Sequence, residues 1–116
     1  MTIKAAEGVS EYWYTPESEQ DEENPTRFKL KPFNEDQKVD VLTGISINEN
    51  DDVMLNASAI RRSLKYGLVD WEHFEGSGGP IRFGRNNFRL IPWDIQVELA
   101  GELIRVSTIS EADEKN

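Results

Sequence analysis

The stretch from Leu68 to Phe88 holds the residues whose types could support catalysis. The only histidine of the chain, His73, lies between Glu72 and Glu75, and the glycine-rich segment EGSGGP begins at Glu75. An imidazole that is oriented by a carboxylate acts as a general base when a nucleophile lies within hydrogen-bond reach. No serine, threonine or cysteine occurs here in a recognisable nucleophile context, so we interpret His73 as an exposed turn residue. The sequence therefore predicts no catalytic residue and no enzymatic activity.

The glycine-rich segment also lacks the signature of a phosphate-binding loop. Such a loop continues into Gly-Lys-Ser/Thr and connects a strand to a helix, whereas EGSGGP continues into Ile81. We instead predict a tight turn in which Gly78 or Gly79 adopts a positive φ before Pro80.

The acidic segment PESEQDEENPT is the candidate metal site, since it has five carboxylates between residues 17 and 23. It lacks the fixed spacing and turn glycine of a calcium loop. Without cysteine, and with one histidine, the chain also lacks the ligands of a typical zinc site. We predict no metal or cofactor, and interpret the segment as a solvated, mobile loop.

Two strands border this loop. EYWYT is rich in strand-forming aromatic residues, and RFKLKPF alternates apolar and basic residues at period two. The pattern predicts that residues 12–15 and 27–32 pair as antiparallel strands.

Two short helices follow. Asn34 and Asn56 are predicted N-caps, and Gly44 and Gly67 are predicted ends, of helices over residues 34–43 and 56–66. The segment ISINENDDVML between them fits a hairpin, or a single strand followed by a loop.

The segment LIPWDIQVELAGELIRVST predicts a longer helix over residues 92–106, with Pro92 in its first turn. Gly101 costs roughly 1 kcal/mol relative to alanine in a helix interior, which suggests close packing there. Two apolar stripes lie side by side along the helix and form a face wider than a small core needs, which fits either a partner on one stripe or a helix that is fully buried. The stripe predicted to be buried contains Ile95, Leu99, Leu103 and Val106. The stripe predicted to contact a partner contains Trp93, Val97, Ala100 and Ile104.

Length and charge limit the class of protein. The 116 residues predict a single domain over 1–116, of class α+β, with a small antiparallel sheet packed against about three helices and flexible ends at 1–10 and 108–116. The net charge is −9, divided as −8 over residues 1–52, +1 over 53–105 and −2 over the last eleven. Such a charge disfavours nucleic acid and anionic membranes as partners. No bilayer-spanning apolar run and no secretory signal is found, so a cytoplasmic location is expected.

Several short motifs resemble those of the small tail assembly chaperones of long-tailed, siphovirus-like phages and prophages. In the second half of the chain, a Leu-x-x-Trp-x-x-Phe segment is followed by a glycine turn and a Pro-hydrophobic-x-Phe strand. A polar turn with asparagines, a Leu-x-Pro motif and an apolar helix that contains Glu-Leu come next. In the first half, a short aromatic strand, an acidic loop ending in Pro-Thr and a Phe-x-Leu-x-Pro strand are similar as well. The residues that carry the resemblance are Tyr12, Trp13, Tyr14, Pro25, Thr26, Phe28, Leu30, Pro32, Leu68, Trp71, Phe74, Gly76, Gly79, Pro80, Ile81, Phe83, Asn86, Asn87, Leu90, Pro92, Glu98 and Leu99.

The resemblance implies a non-enzymatic protein of the host cytoplasm. Proteins of this family bind the long, helical tape measure protein and keep it soluble while tail tube subunits assemble around it. The implied partners are the tape measure protein, the tail tube protein as a second candidate, and further copies of this chain. The resemblance also implies a structural core in which aromatic residues pack against the last helix, with Trp71, Phe74, Phe83, Leu99 and Leu103 as its members.

Two other classes stay open from the sequence. The chain fits a head–tail joining or tail-terminator subunit that is retained in the virion, and it fits a small regulatory protein directed at a host component.

Overall fold

The computed structural model describes residues 10–43, 45–47 and 53–114. The fold is α+β, as predicted: a small antiparallel sheet packs with helices, and the longest helix is the last. The strands are β1 (Tyr12–Tyr14), β2 (Arg27–Leu30), β3 (Ile45–Ile47), β4 (Val53–Leu55), β5 (Leu68–Glu72), β6 (Glu75–Gly76) and β7 (Gly79–Pro80), and the α-helices are α1 (Glu35–Leu42), α2 (Ala57–Gly67) and α3 (Trp93–Glu114). Short 3-10 helices cover Glu17–Glu19 and Arg85–Leu90.

The main sheet has three strands in the order β1-β2-β5, and both pairings are antiparallel. Tyr14 lies opposite Phe28, and Phe28 in turn lies opposite Trp71. The predicted pairing of residues 12–15 with 27–32 is therefore confirmed. Because side chains alternate along a strand, Phe28 and Trp71 share the face that is buried.

The opposite face of this sheet is polar. Trp13 lies there beside Arg27 and Lys29, with the Arg27 guanidinium carbon 5.2 Å and the Lys29 amine 5.7 Å from the centroid of the indole ring. Arg27 also forms an ion pair with Glu72 on the neighbouring strand. The sheet therefore covers the core with one face only.

The acidic loop between β1 and β2 is exposed over most of its length but is held by several hydrogen bonds. The backbone N–H of Glu17 donates to Glu98 on α3 at 3.0 Å, and the backbone N–H of Thr26 donates to Glu19 at 3.1 Å. Among the described residues, no group of three or more acidic or histidine side chains is arranged to hold a metal ion.

Both predicted N-caps are confirmed. The side chain of Asn34 accepts from the N–H of Gln37 at 2.8 Å, and the Gln37 side chain accepts from the N–H of Asn34 at 3.0 Å, which completes a capping box. The side chain of Asn56 accepts from the N–H of Ala59 at 2.8 Å. The predicted helix end at Gly44 lies outside the described residues.

The segment between α1 and α2 forms a hairpin, which decides between the two alternatives left by the sequence. Strands β3 and β4 pair antiparallel, with Ser46 opposite Met54. The residues that connect them, 48–52, lie outside the described part of the chain.

The core lies between the main sheet, α2 and α3. Trp71 is only 6% exposed, and Leu99 and Leu103 are fully buried, as predicted. Phe74 is half-buried against this cluster. The prediction for Phe83 is wrong, because its side chain is 38% exposed. Its ring contacts those of Trp71 and Phe88, at 4.9 Å and 5.7 Å between centroids, but it lies in the irregular segment after β7 and not in the main sheet.

Gly67 ends α2 as predicted, but its role is close packing. A Cβ atom at this position would lie 2.6 Å from both terminal carbons of Leu103, which is fully buried on α3. The absent side chain therefore lets α2 and α3 approach each other. In the glycine-rich turn, Gly79 has a φ of 113°, so the predicted left-handed turn is confirmed there.

Helix α3 begins as predicted and runs past Val106 to Glu114. The predicted flexibility of residues 1–10 concerns a segment of which only the last residue is described. Among the helices of the described residues, none has both the length and the apolarity that crossing a bilayer requires.

Candidate partner-binding surface

The four residues predicted to contact a partner divide into two groups in the structure. Trp93 and Val97 are 48% and 37% exposed, respectively. Ile104 is half-buried against the core, and Ala100 is fully buried, so the prediction for Ala100 is wrong. Of the four predicted residues, only Trp93 and Val97 are therefore exposed.

The burial of Ala100 follows from the number of elements around α3. The helix packs on α2 along one side and contacts β1 through Glu98 on another, so its buried arc is wider than one stripe. This arc includes Gln96, Leu99, Ala100, Leu103 and Ser107. Ile95 and Val106, which were expected within the buried stripe, are only half-buried.

A buried amide holds the N-terminal end of α3 in place. The Gln96 side chain donates from Nε2 to the carbonyl of Ile91 at 2.8 Å, and the backbone N–H of Gln96 donates to the carbonyl of Pro92 at 3.0 Å. Ile91 is itself buried. These bonds fix the 3-10 helix 85–90 relative to α3, and thereby place Leu90 beside Trp93. The sequence pattern gave no signal for this role of Gln96.

Two hydrogen bonds join α3 to β1 and to the segment between β2 and α1. The Tyr14 hydroxyl donates to Glu98, and the backbone N–H of Phe33 donates to the Ser107 hydroxyl at 2.9 Å. Burial, together with the hydrogen bond to Glu98, raises the pKa of Tyr14 above its ordinary value. Burial raises the pKa of Tyr12 to about 12, and its hydroxyl has no hydrogen-bond partner among the described residues.

An apolar strip remains exposed on the surface of α3 and the turn before it. Leu90 is 43% exposed, and Trp93 and Val97 follow it at spacings of three and four residues. Gly101 lies one further turn along the same line. A Cβ atom at Gly101 would meet no other atom within 4 Å, so the predicted close packing at this glycine does not occur within the described chain. We call Leu90, Trp93, Val97 and Gly101 the apolar strip.

His73 lines a separate cleft of about 800 Å³, between the acidic loop, the β6–β7 hairpin and the start of α3. The ring is exposed, its Nδ1 lies 3.1 Å from the carbonyl oxygen of Pro25, and its backbone has a φ of 55°. The neighbouring hydroxyl, that of Thr26, donates to the backbone carbonyl of His73 and not to the imidazole. The described residues therefore place no nucleophile in hydrogen-bond contact with this ring.

Comparisons of the chain with protein-family models, with curated proteins and with solved structures found no match.

Proposed function

We propose that this chain is a non-enzymatic phage tail assembly chaperone, which binds the tape measure protein in the host cytoplasm and keeps it soluble while the tail tube assembles. The observation that carries the proposal is the apolar strip on the longest helix. Trp93 and Val97 are large apolar side chains that stay exposed one helical turn apart, on a helix that also buries Leu99, Ala100 and Leu103. Clustered apolar exposure of this kind marks interaction surfaces.

Gly101 supports the same surface. A glycine inside a helix costs about 1 kcal/mol relative to alanine, and here no neighbouring atom of the described chain requires it. A partner helix that packs across the strip would explain the glycine, since its backbone can approach closely where α3 has no side chain.

The apolar strip suits a partner that is a long amphipathic helix. A long amphipathic helix exposes an apolar stripe that aggregates unless it is covered, and an apolar helix face is a common means of covering it. The net charge of −9 would keep many bound copies soluble along one thread. Many copies bound along one tape measure protein would contact each other, and they would contact the tail tube protein as it assembles.

The experiment is co-expression of the tagged chain with the tape measure protein of the same phage or prophage. We expect the tape measure protein to become soluble and to co-purify with the chain. Finished particles should then lack the chain when their proteins are analysed by mass spectrometry. Stoichiometric retention in the particles would instead support a head–tail joining or tail-terminator subunit. Failure to co-purify, with capture of a host protein in its place, would support the regulatory alternative.

A further inference from the structure

A second surface lies beside the apolar strip and has the opposite charge to the rest of the molecule. It is a groove between α2 and the 3-10 helix 85–90, whose floor contains the buried residues Leu64 and Ile91. Arginines line this groove from both sides: Arg61 from α2, and Arg85 and Arg89 from the 3-10 helix. Leu90 and Trp93 of the apolar strip line it as well. We call it the arginine groove.

The arginines of the groove differ from most others in the chain, because their charges are not neutralised. Arg27, Arg62 and Arg105 form ion pairs with carboxylates. Within the described ranges, the remaining four arginines form none, and three of these four line the groove. The four are Arg61, Arg82, Arg85 and Arg89, all of them exposed.

Three unpaired guanidinium groups around one apolar groove are unexpected in a chain with 22 acidic and 13 basic side chains. Carboxylates are abundant in this protein, yet the fold brings none of the described ones to these arginines. Guanidinium groups bind carboxylates through two parallel hydrogen bonds, so the groove is complementary to an acidic ligand that also has apolar side chains.

None of the acidic residues in the described ranges lines the groove. The acidic loop is bonded to α3 through Glu98. An acidic segment of another molecule would supply the carboxylates that the described lining of the groove lacks.

We propose that the arginine groove docks an acidic amphipathic helical segment of the tape measure protein. Apolar side chains of that segment contact Leu90 and Trp93, and its carboxylates pair with Arg61, Arg85 and Arg89. The assignment of the segment to the tape measure protein rests on the proposed function. The acidic and apolar chemistry of the ligand rests on the groove alone.

The direct test uses synthetic peptides and the intact chain. The probe is a fluorescein-labelled amphipathic peptide of about 20 residues, long enough to form a helix, with leucine on one face and glutamate on its flanks. A second peptide has lysine in place of glutamate, and a third has serine in place of leucine. Fluorescence anisotropy should show binding of the glutamate peptide only, and this binding should weaken as salt rises from about 0.05 M to about 0.5 M.

Variants of the chain locate the interaction. Changing Arg61, Arg85 and Arg89 together to glutamate should lower the affinity for the glutamate peptide at least about tenfold, since each exposed ion pair contributes up to about fivefold. Arg82→Glu is the matched control, because it changes an exposed, unpaired arginine of the neighbouring segment that does not line the groove. We expect it to change the affinity less than about twofold. Thermal melts followed by circular dichroism check folding, and Arg89→Glu alone replaces the triple variant if that variant unfolds.

Each outcome has a defined meaning. Equal binding of the lysine peptide, or unchanged affinity in the folded groove variant, would refute the docking of an acidic segment. Tighter binding of a single-stranded DNA oligonucleotide than of the glutamate peptide would make the groove a nucleic-acid site, and would also refute it. If the wild type self-associates, the groove variant does not, and neither binds the glutamate peptide, the occupant of the groove is a second copy of this chain. That result would refute the proposal as well.

The two proposals fail separately. Suppose that the chain binds the glutamate peptide but does not co-purify with the tape measure protein. The proposed function and the assignment of the segment to that protein are then wrong, whereas the proposed ligand chemistry of the groove is supported. If the chain co-purifies with the tape measure protein and the groove variant does so equally well, the function stands and the groove proposal is wrong.

Discussion

Gly67 and Gly101 are predicted to respond to the same substitution in opposite ways. Gly101→Ala should raise the free energy of unfolding by about 0.5–1 kcal/mol, because alanine is the better helix former and no neighbouring atom lies within 4 Å of the added methyl group. Gly67→Ala should lower it by about 1–3 kcal/mol, because the new Cβ atom would lie 2.6 Å from both terminal carbons of the buried Leu103. In a domain of this size, 1 kcal/mol shifts Tm by about 4 °C.

Thermal and urea unfolding of the isolated chain measure both changes. The Gly101→Ala variant should also bind the tape measure protein more weakly, because the added methyl group would separate the two helices. If a partner helix packs against Gly101, the Gly101→Ala variant should be both more stable and weaker in binding. Loss of stability in Gly101→Ala would show that α3 packs closely against another part of the chain at this position, and an unchanged Tm in Gly67→Ala would show that α2 and α3 are not in close contact.

Two further predictions concern the core and its polar groups. Trp71→Ala should lower the free energy of unfolding by about 3–5 kcal/mol. The ring is buried against Phe28 and Phe88, and its N–H donates to the Ile81 carbonyl at 2.8 Å. An unchanged urea midpoint would contradict this burial. Tyr12→Phe should stabilise the chain by about 1 kcal/mol at neutral pH, since it removes a buried hydroxyl without a partner among the described residues. Burial raises the Tyr12 pKa from 10.0 in the unfolded chain to about 12, so the unfolded chain releases this proton first and the free energy of unfolding, constant below pH 10 as far as Tyr12 is concerned, falls as the pH rises from 10 towards 12. Tyr12→Phe should therefore reduce the loss of Tm between pH 10 and 12, and an identical loss in both proteins would rule Tyr12 out as its source.

The elements that the sequence predicted well are those determined by local chemistry. Asn34 and Asn56 cap their helices because the side-chain oxygen reaches the N–H three residues further along, whatever the rest of the fold does. The alternation of RFKLKPF likewise placed Phe28 and Leu30 on the buried face of β2. Gly79 adopts its positive φ within a four-residue turn.

The features that the sequence did not predict depend on contacts between distant segments. Ala100 was assigned to the exposed stripe because helical periodicity cannot show that two elements approach α3 from different sides. Gly101 has no neighbour within the described chain, whereas Gly67, predicted only as a helix end, is the glycine that packs closely. Gln96 interrupts the apolar pattern, and only the fold brings it to the carbonyl of Ile91. The arginine groove was not predicted, because Arg61 is more than 20 residues from Arg85 along the chain.

The central claim, that the apolar strip binds the tape measure protein, is tested most directly with a matched pair of variants. Val97→Glu places a charge in the strip, and Val39→Glu makes the same change on α1, where the side chain is 61% exposed and lies outside the strip. Each variant is co-expressed with the tape measure protein, and the amount that co-purifies is measured against the wild type after folding has been checked by thermal melting.

We predict that Val39→Glu retains the wild-type amount and that Val97→Glu loses at least about tenfold, as expected for an apolar contact at the centre of an interface. Equal retention of the tape measure protein by both folded variants would contradict the claim.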